Sequence, residues 1–152
     1  MKVRLNHGRA LGVYAAMDAL DQYLATCGLD ESLLHLVKLR ALQMNGCAYC
    51  LDMHRKDLRA IGEAEQRRYS LDAWKECPYY SPRERAALAW TEAVTFVADG
   101  HVSELYAEAK SQFTDKELSD LTLAIATINA WNRLSIAGRV TPGTYRSEKA
   151  AV

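Results

Sequence analysis

Asn45-Gly46-Cys47-Ala48-Tyr49-Cys50-Leu51-Asp52-Met53-His54 is the stretch on which the reading of this chain turns. Asn45-Gly46 breaks one helical pattern, and a second opens at about Cys47. On a helix each residue advances by about 100°, so positions 47, 50 and 54 fall within an arc of about 60° and share one face. The Cys47–Cys50 spacing lets two sulfurs meet across one turn. His54 lies one turn below Cys50, within reach of its thiol directly or through a water.

Outward from this stretch, the repeated signal is helical periodicity between caps. A first helix is expected over about Arg9–Thr26, stopped at Gly28. Asp30 caps a second helix running to about Met44, with Leu33, Leu34, Leu36, Val37, Leu39 and Leu42 making most of its girth apolar. The third runs from about Cys47 to near Gly62, followed by a short polar helix over Glu63–Tyr69 and a turn over Ser70–Trp74. Ser81-Pro82-Arg83-Glu84 is a capping box with proline at the first helical position, opening a helix to about Ala98. Ser103 is read as the cap of a short helix to Gln112. Thr114-Asp115-Lys116-Glu117 is a second capping box, and its helix is expected to reach Ala137 and stop at Gly138. Between Asp120 and Arg133 this helix carries no charge, which suits the middle of a bundle or a subunit interface. No run alternates polar and apolar residues well enough to read as a strand. The fold class is therefore all-α, a helical bundle in a single domain over residues 1–152, with a core over about 9–139 and a small, polar, mobile tail over 140–152.

Composition bounds the partners. The 152 residues carry 19 Lys plus Arg and 19 Asp plus Glu, a formal net charge of zero, which argues against nucleic acid or an anionic membrane recognised by bulk charge. Hydrophobic residues make up 49%, which excludes a disordered chain, and the zero net charge removes the self-repulsion that keeps monomers apart, so self-association is expected. The charged start Met1–Arg9 has no apolar core behind it, so no secretory signal is read. The uncharged stretch Leu121–Asn132 is too short to span a bilayer. The expected compartment is the cytoplasm, where structural disulfides are rare and a close Cys pair points to redox chemistry or metal binding.

The cysteine pair falls in the first turn of its helix, where unpaired N–H groups and the helix dipole stabilise a thiolate. One thiolate then attacks a peroxide or disulfide and the second resolves the intermediate as an internal disulfide. His54 takes the thiol proton and later protonates the leaving atom. The dipole favours Cys47 as the attacking thiol and the position of His54 favours Cys50, so helix geometry alone leaves both open. Two other readings stand beside this one. A zinc site would need a fourth ligand from His35, Cys27, Cys77 or His101, none in a second ligand-spaced pair. Buried cysteines can also serve as small apolar residues. No metal and no cofactor is expected.

Glu92 is the only charge between Arg85 and Asp99. A carboxylate in such surroundings needs a partner or a raised pKa, and it is read either as a relay to His54 or Cys50 or as a single exposed Glu. Tyr49 is read as a core aromatic or a wall of the site. Trp131 and Asn132 sit on the uncharged helix. Asn132 is read either as a hydrogen-bonding group near the thiols or as a buried amide satisfied by backbone. Cys27 and Cys77 are read as bystanders, and His7 and His101 as surface residues.

The run Leu36-Val37-Lys38-Leu39-Arg40-Ala41-Leu42-Gln43-Met44-Asn45-Gly46-Cys47-Ala48-Tyr49-Cys50, with His54 beyond it, resembles the carboxymuconolactone decarboxylase-like family, specifically its alkylhydroperoxidase AhpD-like branch with a Cys-x-x-Cys. The stretches Glu84–Val94 and Ile128–Arg133 resemble it too, so the likeness covers most of the chain from about Asp30 to Arg139. The resemblance implies an all-α AhpD-like domain assembled as a homotrimer or homohexamer. It implies a thiol-dependent peroxidase or disulfide oxidoreductase acting on hydroperoxides, in which Cys50 reacts and Cys47 resolves, with a dithiol or lipoylated protein as reductant. Decarboxylation is not expected, because the decarboxylases of the family generally lack the Cys pair. One departure stands out. The family pattern places a Glu of the proton relay twelve residues before the first Cys, and here that position is His35. His35 is read as a replacement relay, since imidazole titrates near neutrality, or as part of a surface stripe with Glu31 and Lys38. The rival from another class is a non-catalytic helical module sensing redox state or metal through the same cluster.

Overall fold

The computed structural model describes residues 2–6 and 11–147. Helices α1 (Leu11–Ala25), α2 (Glu31–Asn45), α3 (Ala48–Ala60), α4 (Glu65–Tyr69), α5 (Pro82–Thr95), α6 (Val102–Gln112) and α7 (Asp115–Gly138) succeed one another, with 3-10 turns at Leu71–Glu76 and Val97–Asp99. Among the described residues there is no strand, as the all-α expectation requires. Residues Arg9 and Ala10 of the expected first helix, and His7, lie outside the described residues.

The caps act where the sequence puts them. The Asp30 carboxylate accepts from the Leu33 N–H at 3.0 Å. Ser81 with Glu84 and Thr114 with Glu117 form reciprocal capping boxes. Other boundaries shift for local reasons. α5 ends at Thr95 rather than Ala98, because the chain tightens into the 3-10 turn Val97–Asp99. α6 starts after His101 instead of at Ser103: the backbone of His101 is already near-helical once Gly100 has made the turn. Gly138 is the last residue of α7 and not its terminator. Arg139 takes the left-handed conformation instead (φ 54°), while the Gly138 carbonyl accepts from the N–H groups of Arg4 and Leu5 at 2.8 and 3.2 Å.

The core is built on α2 and α7. Leu36, Val37, Leu39, Ala41 and Leu42 of α2 are fully buried, and each full-sized aliphatic side chain so buried contributes about 1.5–3 kcal/mol. α7 packs on α1, α2 and α5, so its uncharged middle is covered within the chain, with Leu121, Ala124 and Ile125 fully buried. The tail is not the loose end expected from its composition. Through residue 147 it is fastened to α3: the Gly143 N–H donates to Asp52 at 3.0 Å, Lys56 donates to the Tyr145 carbonyl at 3.1 Å, and the Tyr145 hydroxyl donates to Asp57 at 2.8 Å.

One polar contact sets where α3 begins. The side-chain amide of Asn45 donates to Asn129 at 2.9 Å and to Asn132 at 2.8 Å, both on α7. Asn129 in turn donates to Thr95 on α5 at 3.1 Å. Three helices are thus joined at the last residue of α2. Gly46 then turns the chain with a left-handed φ of 67°, its N–H bonded to the Leu42 carbonyl. α3 starts from a point fixed against the core.

Candidate active site

Cys47 is the N-cap of α3, with extended backbone, and Cys50 is its third helical residue. Their side chains form a disulfide, with Cα atoms 5.4 Å apart. Both are nearly closed to solvent, at 1% and 2% exposure, yet they differ in what they face. Cys50 lines a cavity of about 900 Å³, and Cys47 does not. The pair sits at a helix N-terminus, where the local field favours a thiolate.

His54, one turn on from Cys50, lines the same cavity and is buried. Burial, with the nearby charge of Lys38 and then His35, lowers its pKa to about 3. Its Nδ1 has no hydrogen-bond partner among the described residues. His35 comes from α2 to the same wall, its ring 5.8 Å from that of His54 and steeply inclined to it. Burial lowers its pKa as well, helped by Lys38 and opposed by Asp57. Of the polar stripe expected at Glu31, His35 and Lys38, all three residues border this cavity. Only Glu31 is well exposed.

Glu92 is elsewhere. It does not line the cavity of Cys50 and His54, but a smaller recess with Arg40 and Lys75. Its carboxylate accepts from Arg40 Nε at 2.9 Å and Trp74 Nε1 at 2.8 Å, and pairs with Lys75 at 2.9 Å. Burial pushes its pKa up, but the bonds from Lys75, Trp74 and Arg40 outweigh this and hold it below the ordinary value. The carboxylate found its partners among cations, which leaves it ionised and occupied. Asn132 points its carbonyl at Asn45, serving the α2–α3 junction. Tyr49 is half-buried, packs on the core and walls the cavity, which joins both expectations for it. Cys27 and Cys77 are free, and His101 is exposed and bonded to Glu104. Among the described residues no group of three or more His, Cys, Asp or Glu is placed to hold a metal ion. Among the described residues no helix is long and apolar enough to cross a membrane.

Several cavity residues have no site role that the sequence assigns. Trp131 donates to Asp21 at 2.7 Å and meets the Tyr14 ring edge-on at 5.6 Å. Lys38 faces Asp21 at 3.8 Å. Tyr145 reaches in from the tail. A signal existed for two of them: Lys38 lies three residues after His35 and Asp57 three residues after His54, so each shares a helix face with a site histidine. Asp21, Tyr14 and Tyr145 arrive through tertiary packing, which no local pattern announces.

Comparison with known proteins decides the family. Residues 12–93 match the model of the carboxymuconolactone decarboxylase family. The chain belongs to that family. It is 43% identical over 127 residues to the uncharacterised protein YdfG of Bacillus subtilis (strain 168), spanning 83% of this chain and 86% of that one. A solved structure from Agrobacterium tumefaciens, ATU0492, is 38% identical with a TM-score of 0.90, covering 95% of this chain and 100% of the other. That protein is of unknown function and is provisionally assigned to antioxidant defence as AhpD. A peroxidase-related protein from Silicibacter sp. TM1040 shares the fold, with 19% identity and a TM-score of 0.78 over 93% of this chain and 74% of that one. The fold is thus the AhpD-like helical bundle, and the Cys47–Cys50 pair supplies the motif of the AhpD-like branch. Within the carboxymuconolactone decarboxylase family the chain stands among enzymes of the oxidoreductase or decarboxylase kind.

Proposed function

We propose that this protein is a thiol-dependent peroxidase and disulfide oxidoreductase that reduces organic hydroperoxides through a Cys47–Cys50 dithiol/disulfide cycle. The observation that carries the reading is the asymmetry of the pair: Cys50 lines the cavity, while Cys47 sits behind it. In the reduced enzyme Cys50 gives its proton to His54. A thiolate beside the imidazole offsets the burial that otherwise keeps His54 neutral. The Cys50 sulfur attacks the terminal hydroperoxide oxygen, the S–O bond forms as the O–O bond breaks, and the leaving alkoxide takes a proton from His54 to depart as alcohol. The Cys47 thiol then attacks the sulfenic sulfur, water leaves, and the disulfide closes. A dithiol, free or on a lipoylated protein, supplies the two electrons that reopen it.

His35 stands where the family relay carries a carboxylate. In this reading it passes protons between His54 and the mouth of the cavity, where its Nε2 lies 3.7 Å from Glu31. The enzyme works in the reducing cytoplasm, as a homotrimer or homohexamer that covers exposed rings such as Tyr23 on α1.

Turnover of cumene hydroperoxide with dihydrolipoamide tests the reading. Multiple turnovers in the wild type, lost in Cys50→Ser, are expected. A single stoichiometric oxidation without turnover would favour the sensing module instead.

A further inference from the structure

The cavity is far larger than access of a small peroxide to Cys50 requires. Its volume of about 900 Å³ lies near the upper end of the roughly 300–1,000 Å³ range for drug-sized ligands. Hydrogen peroxide needs little more room than a water molecule, about 30 Å³. The walls are largely aliphatic and aromatic, with Leu24, Leu34, Met53 and Ile128 beside the Tyr14 and Trp131 rings.

The charges on those walls do not favour an entering anion. Lys38 is the one ammonium among the described lining residues, which also carry the carboxylates of Asp21 and Asp57, while Glu31 has partners of its own. The carboxylate nearest Lys38 is already in place, with Asp21 Oδ1 3.8 Å from Lys38 Nζ. The Asp21 side chain is held there by the Trp131 indole N–H at 2.7 Å. The Asp57 carboxylate accepts from the Tyr145 hydroxyl at 2.8 Å. The two histidines on the wall are held toward their neutral form by burial, so they add no positive charge at neutral pH. A substrate carboxylate entering this space would find Lys38 already paired with Asp21, and the Asp57 carboxylate further along the wall. In a partly dehydrated cavity that repulsion is weakly screened.

We propose that the cavity selects bulky, uncharged organic hydroperoxides and rejects carboxylate-bearing ones, with Asp21 as the specificity-determining residue because it neutralises Lys38. This rests on the peroxidase reading and deepens it. Asp21 acts on which substrate binds, so its effect falls on KM rather than on kcat.

The test uses three peroxides on the full chain with dihydrolipoamide: hydrogen peroxide, cumene hydroperoxide carrying a para-carboxylate, and the methyl ester of that acid. The ester and the acid share one reacting group and differ in charge. The ester is expected to exceed the acid in kcat/KM by about tenfold or more, with the difference in KM, and to exceed hydrogen peroxide as well. Asp21→Asn keeps an acceptor for Trp131 and frees Lys38, and should shrink the ester preference by about tenfold. Equal use of acid and ester, or an unchanged preference in Asp21→Asn, would overturn the proposal while leaving the peroxidase reading intact. If no peroxide is turned over, the peroxidase reading fails by itself. The cavity claim is then decided by calorimetric binding of the two matching cumyl alcohols, acid and ester, to the oxidised protein. Tighter binding of the ester supports it, and equal or tighter binding of the acid overturns it.

Discussion

His35 on α2 and His54 on α3 meet ring to ring at 5.8 Å, steeply inclined, and each keeps a buried Nδ1 that has no hydrogen-bond partner among the described residues. Two imidazoles thus stand together on the wall that also carries Cys50. A buried polar atom without a partner is costly, and in the proposed function the two imidazoles are kept at that cost for proton transfer.

That cost has a pH signature. The folded pKa of His54 is depressed to about 3 against an unfolded value of about 6.5, so the unfolded chain binds the proton more readily. The stabilising contribution of neutral His54 is therefore present above about pH 6.5 and is lost as pH falls toward about 3. Between about pH 7 and about pH 5 the loss amounts to about 2 kcal/mol. Urea unfolding of wild type and His54→Gln at both pH values reads it. The variant should lose about 2 kcal/mol less than wild type over that interval, and equal losses would mean that His54 is not held neutral.

His35→Ala should lower peroxide turnover by about a hundredfold or more, in line with loss of a proton-transfer group. His35→Glu restores the carboxylate of the family pattern and should recover most of that activity. A merely structural role for His35 would leave the two variants equally impaired. The comparison of kcat, with stability measured alongside, checks this.

Glu92→Gln removes the charge that Arg40, Trp74 and Lys75 converge on. The expected result is a loss of stability of about 1–3 kcal/mol, because the part-buried Arg40 guanidinium is left without its counter-charge. Turnover per folded molecule should stay as in wild type. A variant of normal stability and poor turnover would return Glu92 to the proton path.

Asn45→Ala deletes the amide that binds Asn129 and Asn132. The buried Asn132 carbonyl loses its donor and that of Asn129 keeps only Arg133, at a cost of about 1–3 kcal/mol in chemical denaturation. The start of α3 loosens with it, so the Cys47–Cys50 disulfide should also be reduced more readily by a given dithiol.

Much of this was legible in the sequence because it is local. The capping residues Asp30, Ser81 and Thr114, the break at Gly46 and the 47–50–54 face all depend on neighbours within one or two turns. What escaped depends on distant packing. Glu92 is an isolated charge in an apolar run, and nothing in that run announces that Arg40 of α2 and Lys75 of the 3-10 turn before α5 converge on it. The tail over residues 141–147 reads as loose by composition, yet Asp52, Lys56 and Asp57 of α3 hold it. Asp21 and Trp131 are 110 residues apart and meet only when α1 lies on α7. The cavity is made of such meetings, so its size and charge could be read only from the folded chain.

The central claim is that Cys50 is the thiol that meets the peroxide and Cys47 the one that resolves. Reduced Cys47→Ser and Cys50→Ser proteins, each treated with one equivalent of cumene hydroperoxide and trapped with dimedone, can be mapped by peptide mass spectrometry. The account predicts a sulfenic-acid adduct on Cys50 in the first variant and none on Cys47 in the second. An adduct on Cys47 in Cys50→Ser, with Cys50 unlabelled in Cys47→Ser, would contradict it.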